Sequence, residues 1–241
     1  MCGRYTLVVD GAELWEELGL DGPPERVEAR YNIAPTQLAP VVGWRQGAPR
    51  PRLVRMRWGL VPSWAEDAGV GSRMINARSE TAAKKPAFRR ALARRRCLVP
   101  ATGFFEWKPE GGRKTPYLIT PKGGGLVTLA GLWERWLTPA KERLFSYTIL
   151  TRAACPELES LHSRMPVIIS SEARDAWLDV ANSGAEQLAR LLSESAPSRG
   201  ETIAPGLEGA RNVFCLRRLT ARVSSVKNDD VACLAPAEDA R

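Results

Sequence analysis

The chain has 241 residues, 44% of them apolar and 26% charged, a balance that fits one globular domain and excludes wholesale disorder. No apolar run approaches the length that crosses a bilayer, and MCGRYTLVVDG lacks the basic and long apolar regions of a secretory signal, so a cytoplasmic protein without a membrane partner is expected. Five scattered cysteines with no C-x-x-C spacing, a single histidine and no phosphate-binding glycine loop exclude a disulfide framework, a zinc finger and a multi-histidine centre; neither metal nor cofactor is expected.

In chain order, GRYTLVV reads as a strand and DGAELWEELGL as a short amphipathic helix, with Leu14, Trp15 and Leu18 on one side and Gly19 at its end. From Arg52 to Trp58 the residues alternate, Val54, Met56 and Trp58 on one face and Arg55 and Arg57 on the other, the pattern of a half-buried strand. KKPAFRRALARRR, at 84–96, reads as a helix with Phe88 and Leu92 inward and Arg90 and Arg94 outward. CLVPATGFFEW, TPYLIT, GLVTLAGLWERW and RLFSYTILT are β-rich runs separated by KPEGGRK, PKGGG and LTPAKE, which predicts an antiparallel meander. SEARDAWLDV places Ala173, Ala176, Trp177 and Val180 on one helix face, and AEQLARLLSE continues with Leu188, Leu191 and Leu192. Both helices should cover the sheet. Residues 196–211 are expected to form a loop, NVFCLRRL a strand and the last residues a frayed tail. The expected fold is α+β: a single domain over 1–234 with a mostly antiparallel, barrel-like β-sheet core flanked by helices, then a flexible tail over 235–241.

The charge points to a polyanion. The 35 Lys+Arg against 27 Asp+Glu give a net +8, which favours phosphate contact, although a solvated basic surface has the same composition.

Cys2 is the residue that composition does not explain. Removal of Met1, usual before a small second residue, leaves a thiol and a free α-amine on one residue, with ordinary pKa values of about 8.5 and about 8. An aldehyde forms an imine with such an amine, and the thiolate then adds to the same carbon to close a five-membered thiazolidine. The competing reading is a small buried residue at the start of a strand. Gly3 would let the chain bend around a ligand, and Arg4 could hold a phosphate beside it. The proton transfers need an acid or base, for which His162, in LHSRMP, has the right intrinsic pKa, unless it is a satisfied structural histidine. Glu106, among Phe104, Phe105 and Trp107, is either the outward member of an alternating strand or a desolvated carboxyl of raised pKa. Asn76 either caps the helix that follows it or holds a substrate oxygen. Trp64, in WGLVPSWA, sits in a loop where its ring could stack on a base.

MCGRY at the N-terminus, YNIAPTQ at 31–37, WGLVPSWA at 58–65, INARSET at 75–81, GFFEW at 103–107, AGLWE at 130–134, YTILT at 147–151 and HSRMP at 162–166 together resemble the SOS-response-associated peptidase (SRAP) family, which processes abasic sites. The likeness runs in order from Cys2 to about Asn228, departing at Pro86 and Ala87 before Phe88 and in VSSVKNDDVA. It implies a covalent thiazolidine between Cys2 and the ring-opened aldehyde of an abasic site in single-stranded DNA, shielding the lesion. It implies further that Asn76 hydrogen-bonds near the linkage, that Glu106 assists proton transfer at the amine and that His162 acts on the sugar ring oxygen. Arg4, Arg78 and Arg164 would bind phosphates, with Trp64 and Thr151 lining the strand. Strand cleavage through the imine and autocatalytic removal of Met1 are also implied. A monomer is expected, with replication-fork proteins as possible partners. Two rival functions stand beside this one: a cysteine peptidase with Cys2 as acyl-transfer nucleophile and His162 as base, and a non-covalent reader of modified bases.

Overall fold

The computed structural model describes residues 2–44, 48–181, 184–194 and 213–237. Its strands are β1 (Tyr5–Leu7), β2 (Arg30–Ile33), β3 (Leu38–Gly43), β4 (Arg52–Trp58), β5 (Asn76–Arg78), β6 (Arg96–Ala101), β7 (Gly103–Glu110), β8 (Arg113–Pro121), β9 (Val127–Leu137), β10 (Arg143–Ala153), β11 (Arg164–Pro166), β12 (Ile168–Ile169) and β13 (Phe214–Arg218). Its helices are α1 (Gly11–Leu18), α2 (Ser79–Ala82), α3 (Pro86–Arg94), α4 (Pro156–Glu159), α5 (Arg174–Leu178) and α6 (Ala185–Glu194).

Five strands close into a barrel. β4, β3, β6, β9 and β10 pair antiparallel in turn, and the ring is completed by a parallel β10–β4 contact with Ser146 opposite Arg57 and Tyr147 opposite Trp58. Closure leaves the ring no free edge. A second, wholly antiparallel sheet runs β13-β8-β7-β1-β2. The α+β, mostly antiparallel, barrel-like core expected from the sequence is therefore present.

The strand positions sort by alternation. One set, including Val41, Met56, Trp58, Val99, Leu129, Tyr147 and Ile149, packs with Cys2 and with Tyr5, Leu7 and Phe104 from the second sheet. The other set, including Val42, Leu98, Ala130, Leu132 and Leu150, lies under Leu14 and Trp15 of α1, Leu92 of α3, Trp177 of α5 and Leu188 of α6. Helix α1 has the ends its sequence calls for: the Asp10 side chain accepts from the Ala12 amide, and Gly19 closes it at φ 57°, a conformation that favours glycine.

Three expectations need correction. The meander predicted across 97–151 is split, with β6, β9 and β10 in the barrel and β7 and β8 in the second sheet. The chain changes sheets at Thr102, whose amide donates to the Thr6 carbonyl, and at Gly103, where a Cβ would come within 2.9 Å of the Ile119 carbonyl oxygen. Val54 does not face the core with Met56 and Trp58; it is 39% exposed and lines a shallow cleft with Val27, Arg30 and Pro40. Helix α5 ends at Leu178, so that Leu178 rather than Val180 is buried with Trp177.

The end of α5 is bound by Arg96, the last residue of the basic run at 84–96. Arg96 is buried, stacks 5.5 Å from the Trp177 ring centroid, and donates to the carbonyls of Leu92, Trp177 and Asp179. Arg96→Met strands those acceptors, and urea unfolding is expected to show a loss of about 3 kcal/mol. Arg90→Met on the exposed side of α3 should change stability by no more than about 0.5 kcal/mol.

Backbone pairing continues past β13: Leu219 bridges to Pro236 and the Ala237 amide donates to the Arg218 carbonyl. The loop expected over 196–211 and the end of the expected tail, 238–241, lie outside the described residues. Among the described residues, no helix is long and apolar enough to cross a membrane.

Candidate active site

Strand β1 is too short to hold itself, and its position is set by its neighbours. Tyr5 lies opposite Phe104 on β7 and opposite Ile33 on β2, and the Phe105 amide donates to the Arg4 carbonyl. That antiparallel register carries the chain back along β7, so that Cys2 arrives beside Glu106. Cys2 is fully buried, its thiol 3.8 Å from the Arg4 carbonyl oxygen.

Asn76 reaches Cys2 from the barrel. Strand β5 lies parallel to β10 with Asn76 opposite Ile149, and the Asn76 Nδ2 donates to the Cys2 carbonyl at 2.8 Å, while its buried Oδ1 makes no hydrogen bond. Of the two sequence readings, the cap is excluded: Arg78 occupies that position of α2.

Glu106 is 5% exposed, and Gly103 through Glu106 are buried without alternation, so it is not an outward strand residue. Burial raises its carboxyl above the ordinary carboxylate range, opposed first by the positive charge of the N-terminus and last by His162. The Cys2 thiol is likewise pushed up, first by burial and then by Glu106. His162 follows α4, its amide donating to the Leu158 carbonyl. Its Nδ1 accepts from the Arg164 amide at 2.9 Å, which sets the proton of the neutral ring on Nε2. Thiol, carboxyl and imidazole therefore feel one another through the shared neighbour Glu106.

The other predicted residues divide into two groups. Arg78, Thr151 and Arg164 sit together, Thr151 on β10 opposite Arg78 of β5, with Arg164 donating to the Thr151 carbonyl and gripping both carboxylate oxygens of Glu80 at 2.6 and 2.9 Å. Arg78 is exposed, whereas Thr151 is fully buried. Arg4 and Trp64 lie elsewhere. Arg4 donates to Asn32 Oδ1 and to the Val223 and Ser224 carbonyls and lies 5.6 Å from the Trp107 ring centroid. Trp64 is 63% exposed in a turn after β4. Among the described residues, no three His, Cys, Asp or Glu side chains converge as metal ligands.

Sequence reasoning missed Glu80, which a search for a carboxylate beside the INAR motif would have raised. It also missed the buried hydroxyl pair Tyr5–Tyr147, 2.7 Å apart, with Tyr147 stacked on Trp58 and Tyr5 edge-on to it. The alternating pattern of β1 and β10 shows which residues point inward but not which of them meet.

Fold and site define a single-domain α+β protein with a buried cysteine thiol beside a buried carboxyl, to which the imidazole of His162 is electrostatically linked. The chain belongs to the SOS response associated peptidase (SRAP) family, whose model matches residues 1–204. It is 38% identical to the abasic site processing protein YoqW of Bacillus subtilis over 195 residues, 80% of this chain and 86% of that one. It is 30% identical to the abasic site processing protein HMCES of Gallus gallus over 279 residues, covering 99% of this chain and 78% of the relative. In fold it matches a Bacteroides thetaiotaomicron crystal structure with a TM-score of 0.80 at 21% identity, over 98% of this chain and all of that one.

Proposed function

We propose that this protein processes abasic sites in single-stranded DNA by joining Cys2 to the ring-opened sugar aldehyde. The observation that carries the reading is the buried Glu106 carboxyl beside Cys2, since burial raises its pKa and a carboxyl that holds its proton more tightly suits general acid–base work. While Met1 is attached, the Cys2 nitrogen is an amide and cannot form an imine. Its removal uncovers an α-amine on the residue whose carbonyl Asn76 already holds.

The amine adds to the aldehyde to give a carbinolamine, and protonated Glu106 donates to the departing hydroxyl, which leaves as water. The imine carbon then accepts the Cys2 sulfur as Glu106, now a carboxylate, takes the thiol proton. One S–C bond forms, the C=N bond becomes a C–N single bond, and the net reaction releases one water. His162, with its proton on Nε2, serves the sugar ring oxygen during opening and reversal. Strand cleavage through the imine and self-removal of Met1 draw on the same groups. Arg78 and Arg164 would meet phosphates, as would the two Arg4 donors left after its three bonds, with Trp64 and Thr151 along the strand.

Single-stranded DNA carrying one abasic site should yield a protein–DNA adduct that survives denaturation; no adduct would overturn the reading. Protein kept with Met1 in place, checked by intact mass, should give none even though its thiol is intact. A normal yield from that form would sink the imine step while leaving DNA binding untouched.

A further inference from the structure

The segment 221–230 lies beyond the matched family region and packs against β8 and the Arg4 side chain. Its link to β2 is dense. Asn32 is fully buried, and its Nδ2 reaches the carbonyls of Val223, Ser225 and Asn228 at 3.2, 3.0 and 2.7 Å. Asp229 returns the contact, its Oδ1 accepting from the Tyr31 and Asn32 amides at 2.6 and 2.9 Å and its Oδ2 pairing with Arg30. Between strap and strand lies Arg4, held by Asn32 Oδ1 at 2.7 Å, by the Val223 carbonyl at 2.9 Å and by the Ser224 carbonyl at 3.3 Å. Trp107, one residue after Glu106, lies under the guanidinium and donates its indole N–H to Ser224 Oγ at 3.0 Å.

Each end of this arrangement touches the site. The Arg4 carbonyl receives the Phe105 amide and is the atom against which the Cys2 thiol rests. Cys2 has no strand pairing of its own, so its position depends on the contacts of its neighbours. We infer that Asn32 and Asp229, acting through the 221–230 strap and Arg4, are positioning residues that hold Cys2 against Glu106. The inference rests on the proposed chemistry of Cys2, and it explains why an enzyme with its nucleophile at a chain terminus keeps a C-terminal strap against Arg4. Misplacement of a reacting group by about 1 Å costs on the order of 100-fold in rate.

The test is Asn32→Asp, which keeps the acceptor for Arg4 but turns a carboxylate toward three carbonyls, compared with Asp229→Asn, which keeps the two amide contacts. With DNA saturating, Asn32→Asp should form adduct at least about tenfold more slowly than wild type. Its affinity for undamaged single-stranded DNA should be unchanged, and Asp229→Asn, which keeps the two amide contacts but loses the charge paired with Arg30, should slow adduct formation less than Asn32→Asp does. Labelling of Cys2 by iodoacetamide, read on the N-terminal peptide by mass spectrometry, should become faster in Asn32→Asp as the thiol loses its cover. A wild-type saturating rate with unchanged labelling overturns the inference, as does a loss confined to DNA affinity. If Asn32→Asp does not fold, Trp107→Phe decides by the same measurements, since it removes only the bond to Ser224 and leaves a ring under Arg4. Failure of wild type to form any adduct would strike the proposed chemistry, whereas the labelling rates would still judge the strap.

Discussion

Cys2→Ser protein, with Met1 removed, is expected to give almost no adduct that survives denaturation while still giving a linkage that borohydride traps. The substitution leaves the α-amine in place, so carbinolamine and imine form as before, and reduction of the C=N bond fixes them as a secondary amine. What is lost is ring closure, because a serine hydroxyl is a far weaker nucleophile than a thiolate and its ring product opens readily. Stable adduct should accumulate roughly 100-fold more slowly or less, equivalent to about 2.7 kcal/mol of transition-state stabilisation. Cys2→Ala should behave in the same way. Strand cleavage, which needs only the imine, should persist in both. Equal stable adduct from Cys2→Ser would rule out the thiazolidine, and absence of any trappable species from wild type would rule out the amine as the first nucleophile. The same comparison separates the peptidase reading. An acyl-transfer cysteine works as a thiolate of depressed pKa. Here burial raises the Cys2 thiol, which suits a group that stays protonated until an adjacent electrophile and base are both present.

How much of this was legible in the sequence depends on the distance along the chain between the parts. Cys2, Asn76, Glu106 and His162 each stood out locally, by position, motif or apolar company. Local pattern also predicted α1 and its Gly19 cap, and the strands of the two long hairpins. It could not predict that β4 and β10 lie parallel, with Trp58 opposite Tyr147, because that pairing joins residues far apart and closes the barrel only when β3, β6 and β9 are in place. Nor could it show that Arg96 of the 84–96 run is fully buried, since the helix period ends at Arg94 and two of the three carbonyls it serves, those of Trp177 and Asp179, lie some eighty residues away at the end of α5. The Asn32–Asp229 contact is the same case: an asparagine inside YNIAP signals a buried polar group in want of partners, but not that the partners lie almost two hundred residues away.

Glu106→Gln should separate stability from chemistry. Burial is the larger cause of the raised Glu106 pKa, so in the folded protein the carboxyl keeps its proton to higher pH than it would in the unfolded chain. The sign follows: this group favours the fold below the unfolded pKa, and the contribution is lost as pH rises through the raised folded pKa. An amide of the same shape carries no such burden, so at alkaline pH the variant should melt at the same temperature as wild type or higher. Its chemistry should move the other way. Without an acid for the departing hydroxyl or a base for the thiol, adduct formation should slow by about 10²- to 10⁴-fold, the usual range for one general acid–base group. The wild-type rate, followed under conditions where the amine is not limiting, should fall as pH rises through the Glu106 pKa, and the variant should lose that limb. A variant that is less stable at alkaline pH would mean that the interactions opposing the shift outweigh the cost of burying the carboxylate. A variant that keeps both rate and pH profile would remove Glu106 from the reaction and pass the proton transfers to His162.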